Sequence, residues 1–215
     1  MNKCVTFDFD GTIADTRMIF ADIYNNYLSE KYGGRKIDPD EIEMLKKLSL
    51  IEKIRYLKIS PLKIPLFVKA ARKELSDRIE QFPLFDGIND VMVNLKNKGY
   101  TIAVISTNRA KNILHFLELK HIDVVDHVYS DIGASLFVKS RTIKRFLKKT
   151  GILKENFVYV GDELRDIEAC RKEGVKIISV LWGWDSVEAI KKGNPDFIAH
   201  KPQDVEAGVT KILGT

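Results

Sequence analysis

The stretch Cys4-Val5-Thr6-Phe7-Asp8-Phe9-Asp10-Gly11-Thr12 decides how the rest of the chain is read. Its first four residues form an apolar run of the kind that makes a buried strand, and Gly11 lets the backbone turn where the run stops. Asp8 and Asp10, two residues apart at a strand end, point to the same side. Two carboxylates that close repel unless a cation or a shared proton relieves them. The pair points to a divalent metal site, to acid/base work, or to both. Asp-Gly is also a common solvated turn dipeptide, so the remaining chain has to choose.

From Gly87 onward, short β-branched runs alternate with helical patterns. The spacing predicts strands over 101–105, 124–129, 157–160, 175–181 and 197–199. Helices are predicted over 88–98, 110–119, 141–149, 167–172, 187–192 and 205–213. Buried runs separated by helices are the pattern of βαβ units on a parallel sheet, so the expected fold class is α/β, doubly wound. Residues 16–83 break the alternation. Phe20, Ile23, Tyr24, Tyr27 and Leu28 recur at helical spacing up to Gly33-Gly34, Asp38-Pro39 opens a further helix, and 50–57 and 65–79 complete an all-helical insertion. The expected domains are therefore an α/β core, 1–15 with 84–215, and a small helical domain, 16–83.

In an open α/β sheet, ligands bind outside the carboxyl ends of the strands. The polar residues expected there are Asp8 and Asp10 after the first strand, Ser106-Thr107-Asn108 after the second, and Gly161-Asp162 after a later one. Lys139 lies just before the helix predicted over 141–149. All four groups can converge on one face of one sheet.

Composition narrows the function classes. The 215 residues are 45% hydrophobic and 30% charged, the balance of a soluble globular protein. No apolar stretch approaches the roughly 20 residues that span a bilayer, and residues 1–7 lack the apolar stretch of a secretion signal. Cys4 and Cys170 are read as reduced core thiols rather than a disulfide. The expected location is the cytoplasm, with no membrane partner. The net charge of +5 is concentrated in 17–82, where 14 Lys and Arg face 10 Asp and Glu. There is no zinc-finger spacing, RNA-binding aromatic signature or Gly-Lys loop, so nucleic acid is not an expected partner, and the excess suits small anionic substrates.

Taken together, the residues resemble the haloacid dehalogenase (HAD) superfamily of hydrolases, and within it the Mg²⁺-dependent phosphatases. Asp8-Phe9-Asp10-Gly11-Thr12-Ile13-Ala14-Asp15 resembles its first motif, Ser106 after Ile102-Ala103-Val104-Ile105 its second, Phe137-Val138-Lys139 its third, and Gly161-Asp162-Glu163-Leu164-Arg165-Asp166 its fourth. The resemblance implies that Asp8 attacks phosphorus to form an aspartyl-phosphate, that Asp10 is the general acid and then base, that Ser106 donates to a phosphoryl oxygen, and that Lys139 stabilises the transferring group. It implies Mg²⁺ held by Asp8, the Asp10 backbone carbonyl and Asp162. Gly11, Thr12, Thr107, Asn108 and Asp166 are expected beside the substrate or one layer behind it, with Asp166 orienting Lys139 or a metal-bound water. Thr107 competes with Ser106 as the motif hydroxyl, although Gly99, seven residues before Ser106, favours the latter. Lys144 competes with Lys139.

The helical insertion resembles the cap that selects the leaving group in this superfamily. Relatives with such a cap include phosphoglycolate phosphatases, β-phosphoglucomutase, 2-haloacid dehalogenases and phosphonoacetaldehyde hydrolase, and Asp10 argues against the last two. The resemblance therefore implies a phosphatase of small phosphorylated metabolites, phosphoglycolate among them, acting as a monomer or homodimer. The alternatives are a phosphomutase and a noncatalytic binding protein on the same fold. Other conspicuous residues receive structural readings. His115, His121, His127 and His200 lack ligand spacing, Trp182-Gly183-Trp184 is read as packing, and Glu163 and Arg165 are expected to be exposed on a helix's first turn. Arg55, Lys58 and Lys63 in the insertion are not expected to meet a substrate.

Overall fold

Strand β1 (Cys4–Phe7) is buried along its whole length, as its unbroken apolar run requires of a strand covered on both faces. It lies inside a six-stranded parallel sheet with β2 (Thr101–Ser106), β3 (His127–Ser130), β4 (Phe157–Gly161), β5 (Lys176–Val180) and β6 (Phe197–Ala199), in the order β3-β2-β1-β4-β5-β6. This computed structural model describes residues 3–48, 50–131 and 138–214. Phe137, counted above with the third motif, lies outside the described residues. The doubly wound α/β expectation is borne out. The strand order reverses between β1 and β4, the point at which open sheets of this kind bind ligands. Phe7 pairs with Val104 on one side and Val160 on the other, so the loops after β1, β2 and β4 leave the sheet side by side.

The chain divides into two compact units, Met1–Asp15 with Pro83–Thr215, and Thr16–Phe82. In the second unit, α1 (Arg17–Ile23) continues through a π turn (Tyr24–Leu28) into α2 (Ser29–Tyr32), which stops at Gly33 with φ +75°. Helices α3 (Ile42–Lys46), α4 (Leu50–Tyr56) and α5 (Ile64–Asp77) complete it. The apolar spacing from Phe20 to Leu28 predicts helix but not the π turn. The widened turn accommodates long-range bonds that the spacing cannot show: Tyr24 donates to the Arg35 carbonyl at 2.7 Å, and the Asn25 side chain brackets the backbone of Ile37 at 2.7 Å on both sides. Asp38 opens its helix as expected, through a capping box with Glu41, but the first turn, Pro39–Glu41, is 3₁₀. The unit has its own apolar core around Ile23, Tyr24, Leu28, Leu45, Leu57 and Ala71.

In the α/β unit, α6 (Ile88–Asn97), α7 (Ala110–Leu119), α8 (Val138–Thr150), α9 (Leu164–Glu173), α10 (Val187–Gly193) and α11 (Asp204–Leu213) flank the sheet. Ile143 and Phe146 of α8, Ile167 and Cys170 of α9 and Ile190 of α10 pack with Cys4, Ile105, Phe157 and Tyr159 of the strands. Gly208 lets α11 approach Ile178, which alternates to the other face; a Cβ there would stand 2.9 Å from Ile178 Cδ1. Two expectations need correction. Lys139 is the second residue of α8, not a residue before it. The strand predicted over 124–129 begins at His127, because the Asp126 carboxylate, accepting the Ile102 N–H at 2.9 Å, replaces a ladder bond at that edge. Among the described residues no helix is long and apolar enough to cross a membrane, and Cys4 and Cys170 are free and buried.

Candidate active site

The loop after β1 is built from the residues that the opening stretch supplies. Asp8 donates its backbone N–H to the Val160 carbonyl at 2.8 Å, extending the β1–β4 pairing to the first carboxylate. The Phe9 carbonyl then accepts the N–H groups of Ile13 and Ala14 at 3.0 and 2.9 Å, closing a tight turn. Gly11 sits in that turn at φ +83°, where a Cβ would also lie 2.2 Å from Asp162 Oδ2, so only glycine fits. The Phe9 ring is fully buried, edge-on to Phe116 at 5.0 Å between centroids. Its neighbours Asp8 and Asp10 turn instead to polar partners.

Those partners come from elements distant in sequence. Lys139 Nζ, on the first turn of α8, lies 2.5 Å from Asp8 Oδ2 and also bonds Asp166 Oδ1 of α9. All three side chains are buried, whereas Lys144 is exposed. Asp162, at the end of β4, is fully buried. Its Oδ1 accepts the Thr12 hydroxyl at 2.8 Å and its Oδ2 the Trp184 N–H at 2.7 Å. One carboxylate oxygen each from Asp8, Asp162 and Asp166 lie within 4.8 Å of one another. Ser106, buried at the end of β2, accepts the Asn108 N–H at 3.2 Å, and Asn108 Nδ2 reaches Asp10 Oδ2 at 3.1 Å. Thr107 is half-buried one residue past the strand. Lys139 thus links Asp8 to Asp166 with Asp162 close to both, and Asn108 links Asp10 to Ser106, with Gly11 and Thr12 packed on Asp162.

Glu163 and Arg165 are not the exposed pair expected. Both are half-buried and ion-paired through Glu163 Oε2, with Arg165 Nε at 2.6 Å. Glu163 is held in place because α9 begins with a capping box, in which its N–H donates to Asp166 Oδ2 at 3.2 Å. The Trp182-Gly183-Trp184 turn also does more than pack. Trp184 supplies a backbone donor to Asp162, Trp182 Nε1 donates to the Thr12 carbonyl at 3.2 Å, and a Cβ on Gly183 would stand 2.2 Å from Asp162 Oδ2. The readable signal was a glycine between two bulky residues just after a strand, a place where backbones approach closely.

Electrostatics follow from the crowding. Burial, and then the charge of Asp8, push Asp10 up to about 7. Burial also raises Asp8, opposed by Lys139, and raises Asp162, reinforced by Glu163 and Asp166. Lys139 is disfavoured as a cation by burial, yet Asp166 and Asp8 hold its pKa above the usual range. Asp8, Asp10, Asp162, Glu163 and Asp166 outnumber Lys139 and Arg165, so the region holds more acidic groups than basic ones to balance them. Three buried carboxylates converging on one spot are hard oxygen donors, the chemistry that a small divalent cation prefers, and such an ion would reverse the upward shifts. The residues present fit a Mg²⁺ ion.

The chain is similar to known proteins over most of its length. The model of the family described as haloacid dehalogenase-like hydrolase matches residues 5–180. The chain is 26% identical over 211 residues to a phosphoglycolate phosphatase from Synechococcus elongatus, covering 98% of this chain and 99% of that protein. It is 23% identical to the pyrophosphatase PpaX of Bacillus mycoides, covering 98% of each. Among solved structures, a haloacid dehalogenase-like family hydrolase from Streptococcus pneumoniae superposes with a TM-score of 0.80 at 22% identity, covering 96% of this chain and 98% of that one. With the family match spanning the loop after β1, the end of β2, Lys139 and the start of α9, the chain belongs to the haloacid dehalogenase-like hydrolase family.

Proposed function

We propose that this protein is a Mg²⁺-dependent phosphatase of small phosphorylated metabolites that works through an aspartyl-phosphate on Asp8. The observation that carries the reading is the buried convergence of Asp8, Asp162 and Asp166 beside the Lys139 ammonium. Asp8 and Asp162, with the main-chain carbonyl of Asp10, would hold the ion. When bound, Mg²⁺ supplies the positive charge that lets a phosphate dianion approach a carboxylate.

The chain's own residues account for the remaining steps. Asp8 Oδ1 already accepts the Phe9 N–H at 2.8 Å and Oδ2 accepts Lys139, so the carboxylate is held in one orientation before substrate arrives. As its oxygen bonds phosphorus, the bond to the leaving oxygen breaks and Asp10 donates a proton to that oxygen. Asp10 then removes a proton from the water that hydrolyses the aspartyl-phosphate, releasing inorganic phosphate and restoring Asp8. Lys139 offsets the charge gathering on the phosphoryl oxygens while Asp166 holds its other side, and the Ser106 hydroxyl donates to one of those oxygens. The unit Thr16–Phe82, inserted in sequence between Asp15 and Pro83, serves as the cap that selects the leaving group. Free, buried Cys4 and Cys170 suit a reducing compartment such as the cytoplasm.

Phosphoglycolate is a leading substrate because a relative aligned over 98% of the chain carries that activity in its name, and pyrophosphate is the comparison compound for the same reason. The test is a phosphate-release screen over small monoesters and pyrophosphate, with and without Mg²⁺, alongside Asp8→Asn. The expected result is Mg²⁺-dependent release that Asp8→Asn abolishes while the far-ultraviolet spectrum stays native. Full residual activity removes Asp8 as nucleophile. Turnover stimulated by a sugar bisphosphate without net phosphate release moves the assignment to a phosphomutase. Inertness toward the whole panel favours a noncatalytic binding protein.

A further inference from the structure

Asn108 engages all its polar groups. Its Nδ2 donates to Asp10 Oδ2 at 3.1 Å and, at 3.4 Å, to Oδ1. Its Oδ1 accepts the Arg109 backbone N–H at 2.7 Å and Asn112 Nδ2 at 3.0 Å. Its own N–H donates to Ser106 Oγ at 3.2 Å, and its carbonyl accepts the Ser130 hydroxyl at 2.6 Å. A backbone N–H can only donate, so the Arg109 contact determines which end of the amide is oxygen and leaves the NH₂ facing Asp10. The residue is therefore tied to β2, β3 and the start of α7, and it presents a rigid donor to the loop after β1.

We propose that Asn108 is a positioning residue for phosphoryl transfer, holding the Asp10 carboxyl in the one orientation that delivers its proton to the leaving oxygen. The inference rests on the reading of Asp10 as general acid. An amide NH₂ donates and cannot accept, and its contacts to both Asp10 oxygens fix how the carboxyl is turned. When the bond between phosphorus and the leaving oxygen breaks, its electron pair stays on that oxygen and the Asp10 proton moves to it. Asp10 becomes a carboxylate still held by Asn108. In the second half, the attacking water returns a proton to Asp10 as its oxygen bonds phosphorus and the bond from Asp8 to phosphorus breaks. Without Asn108 the carboxyl samples other rotamers, and the loss falls on substrates whose leaving group needs that proton.

That dependence supplies the test. The single-turnover rate of leaving-group release, which precedes the hydrolysis step common to all substrates, is measured with Mg²⁺ for p-nitrophenyl phosphate, whose leaving phenolate needs little protonation, and for an alkyl monoester, phosphoglycolate, whose leaving alkoxide needs it fully. For Asn108→Ala the expected single-turnover release rate falls about 100-fold on the alkyl ester and less than about fivefold on the aryl ester, a part of the 10²- to 10⁴-fold that a general acid supplies, with KM for both unchanged within about threefold. Asn108→Asp, which sets an acceptor against Asp10, loses at least as much on the alkyl ester. Asn112→Ala, which only loosens the amide, shows the same selectivity at about fivefold, and it carries the test if Asn108→Ala does not fold. Equal losses on the two esters, or a change confined to KM, overturn the proposal and make Asn108 merely structural. A wild-type protein inert toward both esters overturns the phosphatase reading itself, a result distinct from any pattern among the variants.

Discussion

The strand ends of the α/β unit and the surface of the helical unit treat charge in opposite ways, although the α/β unit carries exposed pairs too. In the α/β unit the Lys139 side chain is 4% exposed, and its partners Asp8 and Asp166 are 4% and 0% exposed. In the helical unit Arg35 and Glu41 pair at 31% and 20% exposure, and Lys73 and Asp77 at 71% and 54%. Burying an ion pair forfeits hydration that its attraction barely restores, whereas a surface pair forfeits little and contributes little. Stability alone does not explain a triad like Lys139-Asp8-Asp166. The proposed chemistry does, because an unhydrated carboxylate held beside a fixed cation is what a phosphoryl acceptor requires. Under the proposed function, the difference teaches that the buried charges mark the working end of the molecule, and the exposed ones mark ordinary folded surface.

The largest effect expected from breaking this contrast is at Lys139. Lys139→Ala leaves Asp8 and Asp166 facing each other without their cation. It should destabilise the metal-free α/β unit by about 3–5 kcal/mol in urea unfolding and cut phosphate release by about 10²- to 10³-fold. An unchanged rate would pass the catalytic role to another lysine. Gly183→Ala comes next. Its Cβ would meet the Asp162 Cβ and carboxylate at 2.2 Å, and neither side can yield without moving the chain. A loss of about 1–3 kcal/mol in the urea midpoint follows, and a variant as stable as wild type would show that the turn after β5 relaxes freely.

A pH experiment sharpens the comparison on the helical side. The Glu41 carboxyl is pulled down to about 2 from an ordinary 4.5 by the Tyr56 hydroxyl, the Asp38 N–H and the Arg35 guanidinium. Its folded pKa lies below its unfolded value, so its contribution to stability is complete above about 4.5 and is lost as pH falls toward 2. Hydrogen-exchange protection of the segment 35–41 should decline across that window in wild type, and a Glu41→Gln variant should show no such slope of its own. The smallest effect belongs to Lys73→Ala. Its exposed pairing with Asp77, one helical turn away, predicts no resolvable change in the urea midpoint, and a measurable loss would mean that exposed pairs in this unit matter more than their solvation implies.

Much of the architecture was legible in advance. The helices over 110–119 and the strand over 197–199 were predicted with their observed ends, because their apolar periods are bounded by clear breakers. The strand before Ser130 was placed too early, since a carboxylate substituting for a ladder bond leaves no mark in hydrophobicity. The π turn at Tyr24–Leu28 was invisible for a related reason: its partners, Arg35 and Ile37, lie past a loop. At the site, Asp8, Asp10, Ser106 and Asp162 were nameable because strand ends and turn glycines are local features. Glu163, Arg165 and the Trp182-Gly183-Trp184 turn were misjudged, because their surroundings come from chain segments that no local pattern joins to them.

The sequence by itself determined the parallel α/β sheet, the helical insertion between Asp15 and Pro83, and a set of acids and a hydroxyl at strand ends. Each follows from periodicity and breakers within a dozen residues, where short-range sterics and burial decide the outcome. Only the tertiary structure decided which groups touch: that Lys139 rather than Lys144 meets Asp8, that Trp184 donates to Asp162, and that Asn108 holds Asp10. Those contacts join residues 22 to 131 positions apart, and their geometry is settled by how strands β1, β2 and β4 pack side by side, a global condition that no window of sequence contains.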